Sequence, residues 1–166
     1  MTPIVSLRPI TAENVLHITR LSVRPDQQGF VAPNAVSLAQ ALFAPEAWYR
    51  AIYADEQPAG FVMLHDESLG PVPLPQPKVG VWRFMIDAAF QGRGIGRAAL
   101  LQVIKLVRAR GVCPTLTLSY VPAPGGPEGF YLGLGFRPNG EMDGDEVVMA
   151  LPLHNPNPQP PNGTST

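Results

Sequence analysis

FQGRGIGRAALLQVIKLVRARG, Phe90 to Gly111, places three glycines within five positions and runs from them straight into an apolar-periodic segment. Glycine lets a backbone take positive φ and approach a ligand closely. The first turn of a helix presents N–H groups with no partner inside the helix, and its aligned peptide dipoles favour negative charge. The pattern Gly92-x-Gly94-x-Gly96 before a helix therefore predicts a cradle for an anion such as a pyrophosphate. The competing explanation is that the glycines only let a strand and a helix pack tightly. Spacing narrows the choice among phosphate binders. A P-loop needs Lys-Ser/Thr after its last glycine, and here Gly96 is followed by Arg97-Ala98. A dinucleotide fingerprint needs Gly-x-Gly-x-x-Gly with an acidic residue ending a second strand, and here the third glycine comes one residue early.

The helix that starts at Gly94 or Ile95 carries Ile95, Ala98, Ala99, Leu101, Val103, Ile104, Leu106 and Val107, which cover more than one face and suit packing on a sheet. Arg97, Lys105, Arg108 and Arg110 are expected to point outward, with Gly111 as C-cap. Before it, Val79 to Asp87 is mostly apolar and reads as a central strand. Trp48 to Ala54 and Pro58 to Asp66 read as strands joined by a turn at Asp55-Glu56-Gln57, pairing antiparallel. Ile4 to Arg8 alternates as a strand, and Thr11 is expected to cap a helix with Val15, Leu16, Ile18 and Leu21 on its apolar side. A second short helix is expected from Asn34 to Phe43, carrying Val36, Leu38, Ala39 and Leu42, and ended by Pro45. Thr115 to Tyr120 is a strand, Pro127 to Leu134 a short helix, and strands near Phe136 and from Val147 to Leu151 complete an α/β order.

The 166 residues suit one domain with a core of its own. A 45% hydrophobic content and a formal net charge of −1 indicate neither a basic nucleic-acid binder nor an acidic disordered chain, so the expected partner is a small molecule. With no charged-then-apolar leader or long apolar run near Met1, neither secretion nor membrane spanning is expected, and a cytoplasmic location follows. The single cysteine, Cys113, has no internal disulfide partner and reads as a small core residue. No metal site is expected. Many of the 20 prolines cluster in Gly70 to Pro77, a stiff loop between strands, and in the tail. Residues 1–152 are expected to form the domain, and 153–166, containing HNPNPQPPNGTST, a disordered or loosely packed tail.

Gln91-Gly92-Arg93-Gly94-Ile95-Gly96 resembles the Q/R-x-x-G-x-G/A signature of the GNAT acetyltransferase superfamily. Arg8-Pro9-Ile10-Thr11 resembles the family's opening, Trp82 to Asp87 its central splayed strand, and Phe130-Tyr131-Leu132-Gly133-Leu134-Gly135-Phe136 its terminal element, so nearly the whole chain to about Leu151 is covered. The resemblance implies the acyl-CoA N-acyltransferase fold, a mixed sheet of six to seven strands flanked by about four helices. It implies acetyl-CoA as cosubstrate, with its pantetheine arm on the backbone of Phe84, Met85 and Ile86. Its pyrophosphate would lie on the N–H groups from Gln91 through Gly92, Arg93, Gly94, Ile95 and Gly96 to Arg97, with the charge of Arg93 and Arg97 added. For both arginines a solvated helix face is the alternative. Tyr131 falls where the family places the acid that protonates the departing thiolate; the alternative there is a core aromatic.

Two positions depart from the family pattern. Pro124 stands seven residues before Tyr131, where many relatives carry an Asn that contacts CoA, and Trp82 stands where some polyamine-acting relatives place a Glu. The general base is left unassigned, with Asp66, Glu67, Glu141 and Asp143 as candidates. The stretch Gln28 to Ala41, with Trp82 to Asp87 and Leu118 to Tyr120, resembles bacterial diamine and polyamine acetyltransferases, which implies spermidine, spermine or a related diamine as acceptor. Glu46, Trp48, Tyr49, Asp66, Glu67, Trp82 and Tyr120 supply the residue types that a cationic amine needs. An acyl-CoA sensing module without turnover, or transfer to a protein amine, amino acid or antibiotic, stays open. Relatives are often dimers, and a homodimer is compatible with this composition without being demanded by it.

Overall fold

The computed structural model describes residues 1–154, so most of the expected tail, from 155 onward, lies outside the described residues. Strands β1 (Val5–Arg8), β2 (Ala47–Ala54), β3 (Gln57–Asp66), β4 (Val79–Ile86), β5 (Thr115–Tyr120), β6 (Arg137–Asp143) and β7 (Glu146–Pro152) form one seven-stranded sheet in the order β1-β2-β3-β4-β5-β7-β6. Helices α1 (Val15–Arg20), α2 (Asn34–Ala41), α3 (Ile95–Arg110) and α4 (Glu128–Gly133) flank it. This is the mixed α/β architecture expected from the sequence, with β4 in the middle of the sheet. The turn between β2 and β3 is as tight as its polar residues imply: Ala54 pairs with Gln57, and Asp55 takes φ 51°.

Each face of the sheet carries its own core. On one side Ile95, Ala99, Leu100, Val103 and Val107 of α3 pack against Val62, Leu64, Val79, Leu116 and Met149, all essentially without solvent exposure. On the other, α1 and α2 cover Ala51, Phe61, Met63 and Met85. Burying a side chain such as Leu100 contributes about 2 kcal/mol. Gln102 fixes α3 to the edge strand β1 by donating from Nε2 to the Val5 carbonyl at 2.7 Å.

β4 sits between unlike neighbours. It pairs antiparallel with β3 along its whole length but parallel with β5 only from Val79 to Val81. Beyond Val81 the two strands diverge, and β5 instead pairs along its full length with β7. The β3–β4 register slips where Met63 faces Arg83 and Leu64 faces Val81, leaving Trp82 as the extra residue of a bulge. A bulge bends its strand and re-aims side chains. Here Trp82 and Met85 both pack on the α1/α2 side, while Val81, Phe84 and Ile86 pack on the α3 side.

Several local expectations are corrected. Thr11 does not begin a helix: its carbonyl accepts from both Asn14 and Val15, making a turn, and α1 starts after Asn14. Asn14 organises that turn, accepting from the Thr11 N–H at 2.8 Å and donating to Tyr53 Oη at 3.2 Å. In α2 the inward face is Asn34, Ser37, Leu38 and Ala41, while Val36, Leu42 and Phe43 are exposed. A buried Asn34 is explained by its bonds, from Nδ2 to the Ile18 carbonyl at 2.9 Å and to Met85 Sδ at 3.6 Å, which join α1, α2 and β4. At the far end, Leu153 is still buried and its N–H donates to the Pro114 carbonyl at 2.9 Å. Cys113 is buried as expected, and burial pushes its thiol pKa up.

The basic residues of α3 do not all face solvent. Arg108 donates from Nε to the Leu153 carbonyl at 2.8 Å, and Arg110 pairs with Asp66, whose side chain is wholly buried. Ser68 completes the cluster: its hydroxyl donates to Asp66 Oδ1 at 2.6 Å and accepts from Arg110 Nη2 at 2.8 Å. Removing one partner strands a buried charge, so Arg110→Ala should lower the unfolding free energy by about 3 kcal/mol. Chemical denaturation of the variant checks this; a loss under about 0.5 kcal/mol would class the pair with ordinary surface ion pairs.

Candidate active site

The divergence of β4 from β5 opens the sheet at its centre, and two cavities meet there. One, of about 580 Å³, is lined by the end of β4 (Phe84, Met85, Ile86), the turn Gln91-Gly92, and the start of α3 (Gly94, Ile95, Gly96, Arg97). The other, of about 840 Å³, is lined by Trp82 and Arg83 of β4, Ser119 and Tyr120 of β5, Glu146 of β7 and the loop Gln28 to Pro33. Phe30, Val31, Phe84, Pro127 and Tyr131 belong to both walls.

The glycines of the first cavity do two different jobs. Gly92 and Gly94 sit at φ 72° and 76° with open space where a Cβ would be, so the requirement there is conformational. Gly96 is a packing glycine: an added Cβ would lie 3.3 Å from Ile86 Cγ1, 3.5 Å from Phe130 Cζ and 3.6 Å from Phe84 Cζ. The tight-packing explanation therefore holds at Gly96, while Gly92 and Gly94 are required for the backbone conformation of the turn. No side chain caps the N-terminus of the sixteen-residue α3, and no acidic residue occupies its first turn. Its unpaired N–H groups and positive dipole end therefore stay available at the cavity.

The backbone of β4 from Trp82 to Ile86 has no strand on its β5 side. Gln91 takes up one of the exposed groups, donating from Nε2 to the Ile86 carbonyl at 2.9 Å and also to Gln27 Oε1 at 2.8 Å. Of the residues expected to hold the cosubstrate, only Arg93 is absent from the lining; its guanidinium lies 5.5 Å from the Phe90 ring centroid. Arg97 reaches α4, donating to the Gly133 carbonyl at 3.1 Å. Opposite the loop, Gly125, Gly126 and Pro127 line the wall next to Pro124.

Tyr131 stands at the junction of the cavities. α4 holds it among Tyr120, Phe130 and Phe136, with ring centroids 6.4, 5.4 and 6.2 Å away. The residue is 8% exposed, and its hydroxyl hydrogen-bonds no other described residue. Burial, with the nearby charge of Glu146, pushes its pKa up to about 12. Phe130 stacks on Phe84 across the divide, 6.0 Å between centroids and 10° between planes.

The acidic residues divide differently from expectation. Asp66 is committed to Arg110, Glu67 accepts from the Lys78 N–H at 2.8 Å, and Glu141 accepts from Asn139 at 2.9 Å. Asp143 does line the larger cavity. The carboxylate closest in its effects to Tyr131 was not singled out in the sequence: Glu146 accepts a hydrogen bond from the Ser119 hydroxyl, and its charge is felt by both Tyr131 and Arg83. Only strand pairing brings it there, because Tyr120 of β5 pairs with Val147 of β7. Gln27 and Arg83 were also missed, although a charge inside the apolar run VGVWRFMI was a visible signal. Of the aromatic candidates, Trp82 and Tyr120 line the larger cavity, whereas Trp48 packs against the α3-side core under Arg50. The proline loop from Gly70 to Pro77 borders neither cavity.

No metal-binding cluster of His, Cys, Asp or Glu occurs among the described residues, and no described helix is long and apolar enough to cross a membrane. No curated protein matches the chain. Solved structures do share its fold. An acetyltransferase from Thermus thermophilus is 20% identical with a TM-score of 0.67, covering 92% of this chain and 99% of its own. The ribosomal-protein-S18-alanine N-acetyltransferase of Escherichia coli is 18% identical with a TM-score of 0.63, covering 93% and 97%. The PaiA N-acetyltransferase of Thermoplasma acidophilum, solved in complex with coenzyme A, is 16% identical with a TM-score of 0.62, covering 89% and 98%. The model of the acetyltransferase (GNAT) family matches residues 33–136, from the start of α2 to the end of the Tyr131 element, and the chain belongs to this family of acetyl-CoA-dependent acetyltransferases.

Proposed function

We propose that this chain transfers an acetyl group from acetyl-CoA to a primary amine by direct attack in a ternary complex, with Tyr131 as the acid. The observation that carries this reading is the position of Tyr131, which is shared by the two cavities. The smaller cavity suits the donor: a free strand edge at Phe84 to Ile86 can pair with an amide-bearing arm, and the uncapped N-terminus of α3 suits a pyrophosphate. Gln91, Gly92, Arg93, Gly94, Ile95, Gly96 and Arg97 form that second surface in this proposal, with Arg93 acting from outside the wall. Acetyl-CoA supplies an activated acyl thioester. In this reading Tyr131 Oη gives its proton to the departing sulfur, and a phenol that holds its proton to about pH 12 stays protonated throughout the neutral range.

The larger cavity suits the acceptor. An amine is protonated at neutral pH and must lose a proton before attack. Glu146 is the carboxylate beside Tyr131, and we assign it the proton-accepting role, held in place by Ser119. A diamine or polyamine is the acceptor that the sequence resemblance implies. Glu146 and Asp143 in the cavity wall support an ammonium at this site. Arg83 in the same wall weighs against a second ammonium.

Thiol release from acetyl-CoA with a panel of primary amines should show turnover, and tight coenzyme A binding with no amine acetylated would leave a sensing module instead. Tyr131→Phe should cut kcat by about a hundredfold while coenzyme A affinity stays within about twofold, and an equal loss in both would remove the acid role. Glu146→Gln should lower kcat/KM at pH 7 by a similar factor of about a hundred, less so at high pH where free amine is abundant. Alkaline titration should show a phenolate transition near pH 12 that is missing in Tyr131→Phe. Because the unfolded tyrosine ionises near 10.0 and the folded one near 12, stability should fall as pH rises between these values, less steeply in the variant.

A further inference from the structure

A polyamine leaves one feature of the acceptor cavity unexplained. Arg83 sits inside an otherwise apolar strand, and the bulge at Trp82 turns it toward α2. Its Nη1 donates to the Trp82 carbonyl at 2.9 Å and its Nη2 to Gln40 Oε1 at 3.2 Å, both neutral acceptors. Its Nε is buried without a partner. Among the described residues Arg83 forms no ion pair. A guanidinium has five N–H donors and stays charged, so these bonds leave its charge and most of its donors unanswered. Burial pushes its pKa down, an effect that the charge of Glu146 only partly opposes.

Resting on the acetyl-transfer reading above, we infer that Arg83 binds a carboxylate carried by the acceptor, and that the acceptor is a free amino acid or a similar small aminocarboxylic acid. The planar guanidinium fork matches a carboxylate in shape and charge. A phosphate dianion fits less well, because Glu146 and Asp143 share the wall and would repel it more strongly. Glu146 and Arg83 thus present opposite charges to one cavity, complementary to the ammonium and carboxylate of a zwitterion. The aromatic groups that would serve a polycation are already engaged. Arg83 lies 5.4 Å from the Trp82 ring centroid, the His65 ring meets that indole edge-on at 5.9 Å, and Tyr120 Oη donates to Glu128 at 2.9 Å.

The test compares kcat/KM for matched acceptors in the wild-type protein: a set of free amino acids, their carboxamides, the corresponding amines without the carboxyl group, and spermidine. The expected result is that at least one free amino acid is preferred over its own carboxamide by roughly ten- to a hundredfold, the value of a hydrogen bond to a charged group. In Arg83→Gln this ratio should collapse to within about twofold, and Arg83→Lys should restore part of it. A wild-type enzyme that acetylates spermidine or the carboxamides at least as well as every free amino acid overturns the inference and leaves the acetyl-transfer reading standing. If no amine of any class is acetylated, both fall together. If Arg83→Gln lowers all acceptors equally and also lowers Tm, Arg83 is structural and the inference is again overturned; the wild-type panel decides the matter even if that variant does not fold.

Discussion

The site depends on a single failure of strand pairing. β4 and β5 run parallel and bonded for three residue pairs, from Val79 with Leu116 to Val81 with Leu118, and then separate. A backbone N–H or C=O that loses a sheet partner must find another or face solvent. Here β3 pairs with one edge of β4 on both sides of the Trp82 bulge while β7 keeps β5 paired, so the opening is held from both sides. The chain is then left with an exposed β4 edge at Phe84 to Ile86 inside an ordered sheet, where a ligand backbone can replace the missing strand.

The remaining parts of the site are arranged around that opening. The positive-φ glycines Gly92 and Gly94 turn the chain just before α3, whose N-terminus lines the smaller cavity. Gln91 ties this turn to the last carbonyl of β4 and to Gln27, linking the glycine loop to the segment that also borders the larger cavity. α4 delivers Tyr131 into the mouth of the opening, where it meets both cavities. The low exposure that raises its pKa is the same packing that fixes its ring, so placement and protonation state have one cause.

Polar groups divide between those that hold the fold and those that face the cavities. Asp66 and Arg110 are typical of the first kind: an acidic residue that the sequence offered as a base is consumed in clamping the end of β3 to the end of α3. Glu146 and Arg83 are of the second kind, lining the larger cavity with their charges only partly answered. Sequence proximity to a motif does not separate the two kinds, because the distinction lies in what each side chain meets across strands and helices.

Much of the architecture was legible in the sequence because it is written locally. The turn at Asp55-Glu56, the limits of α3 from Ile95 to Arg110 with its cap at Gly111, the strand Thr115–Tyr120 and the glycine loop are set by periodicity, cap residues and backbone freedom within a short window. The start of α1 and the inward face of α2 were not, since Asn14 and Asn34 act through partners 39 and 16 residues away in the chain. The wall of the smaller cavity formed by the end of β4 and the glycine loop was readable for the same local reason, as it comes from one contiguous stretch. The larger cavity was not. Glu146 reaches Tyr131 only through the β5–β7 register, and Arg83 reaches α2 only through a bulge. A glycine-turned helix N-terminus next to an apolar strand is specified by consecutive residues, and the chain's order alone is enough to reveal it. Which charges meet in the cavity is settled by folding, because it depends on long-range pairing whose register a single chain does not display.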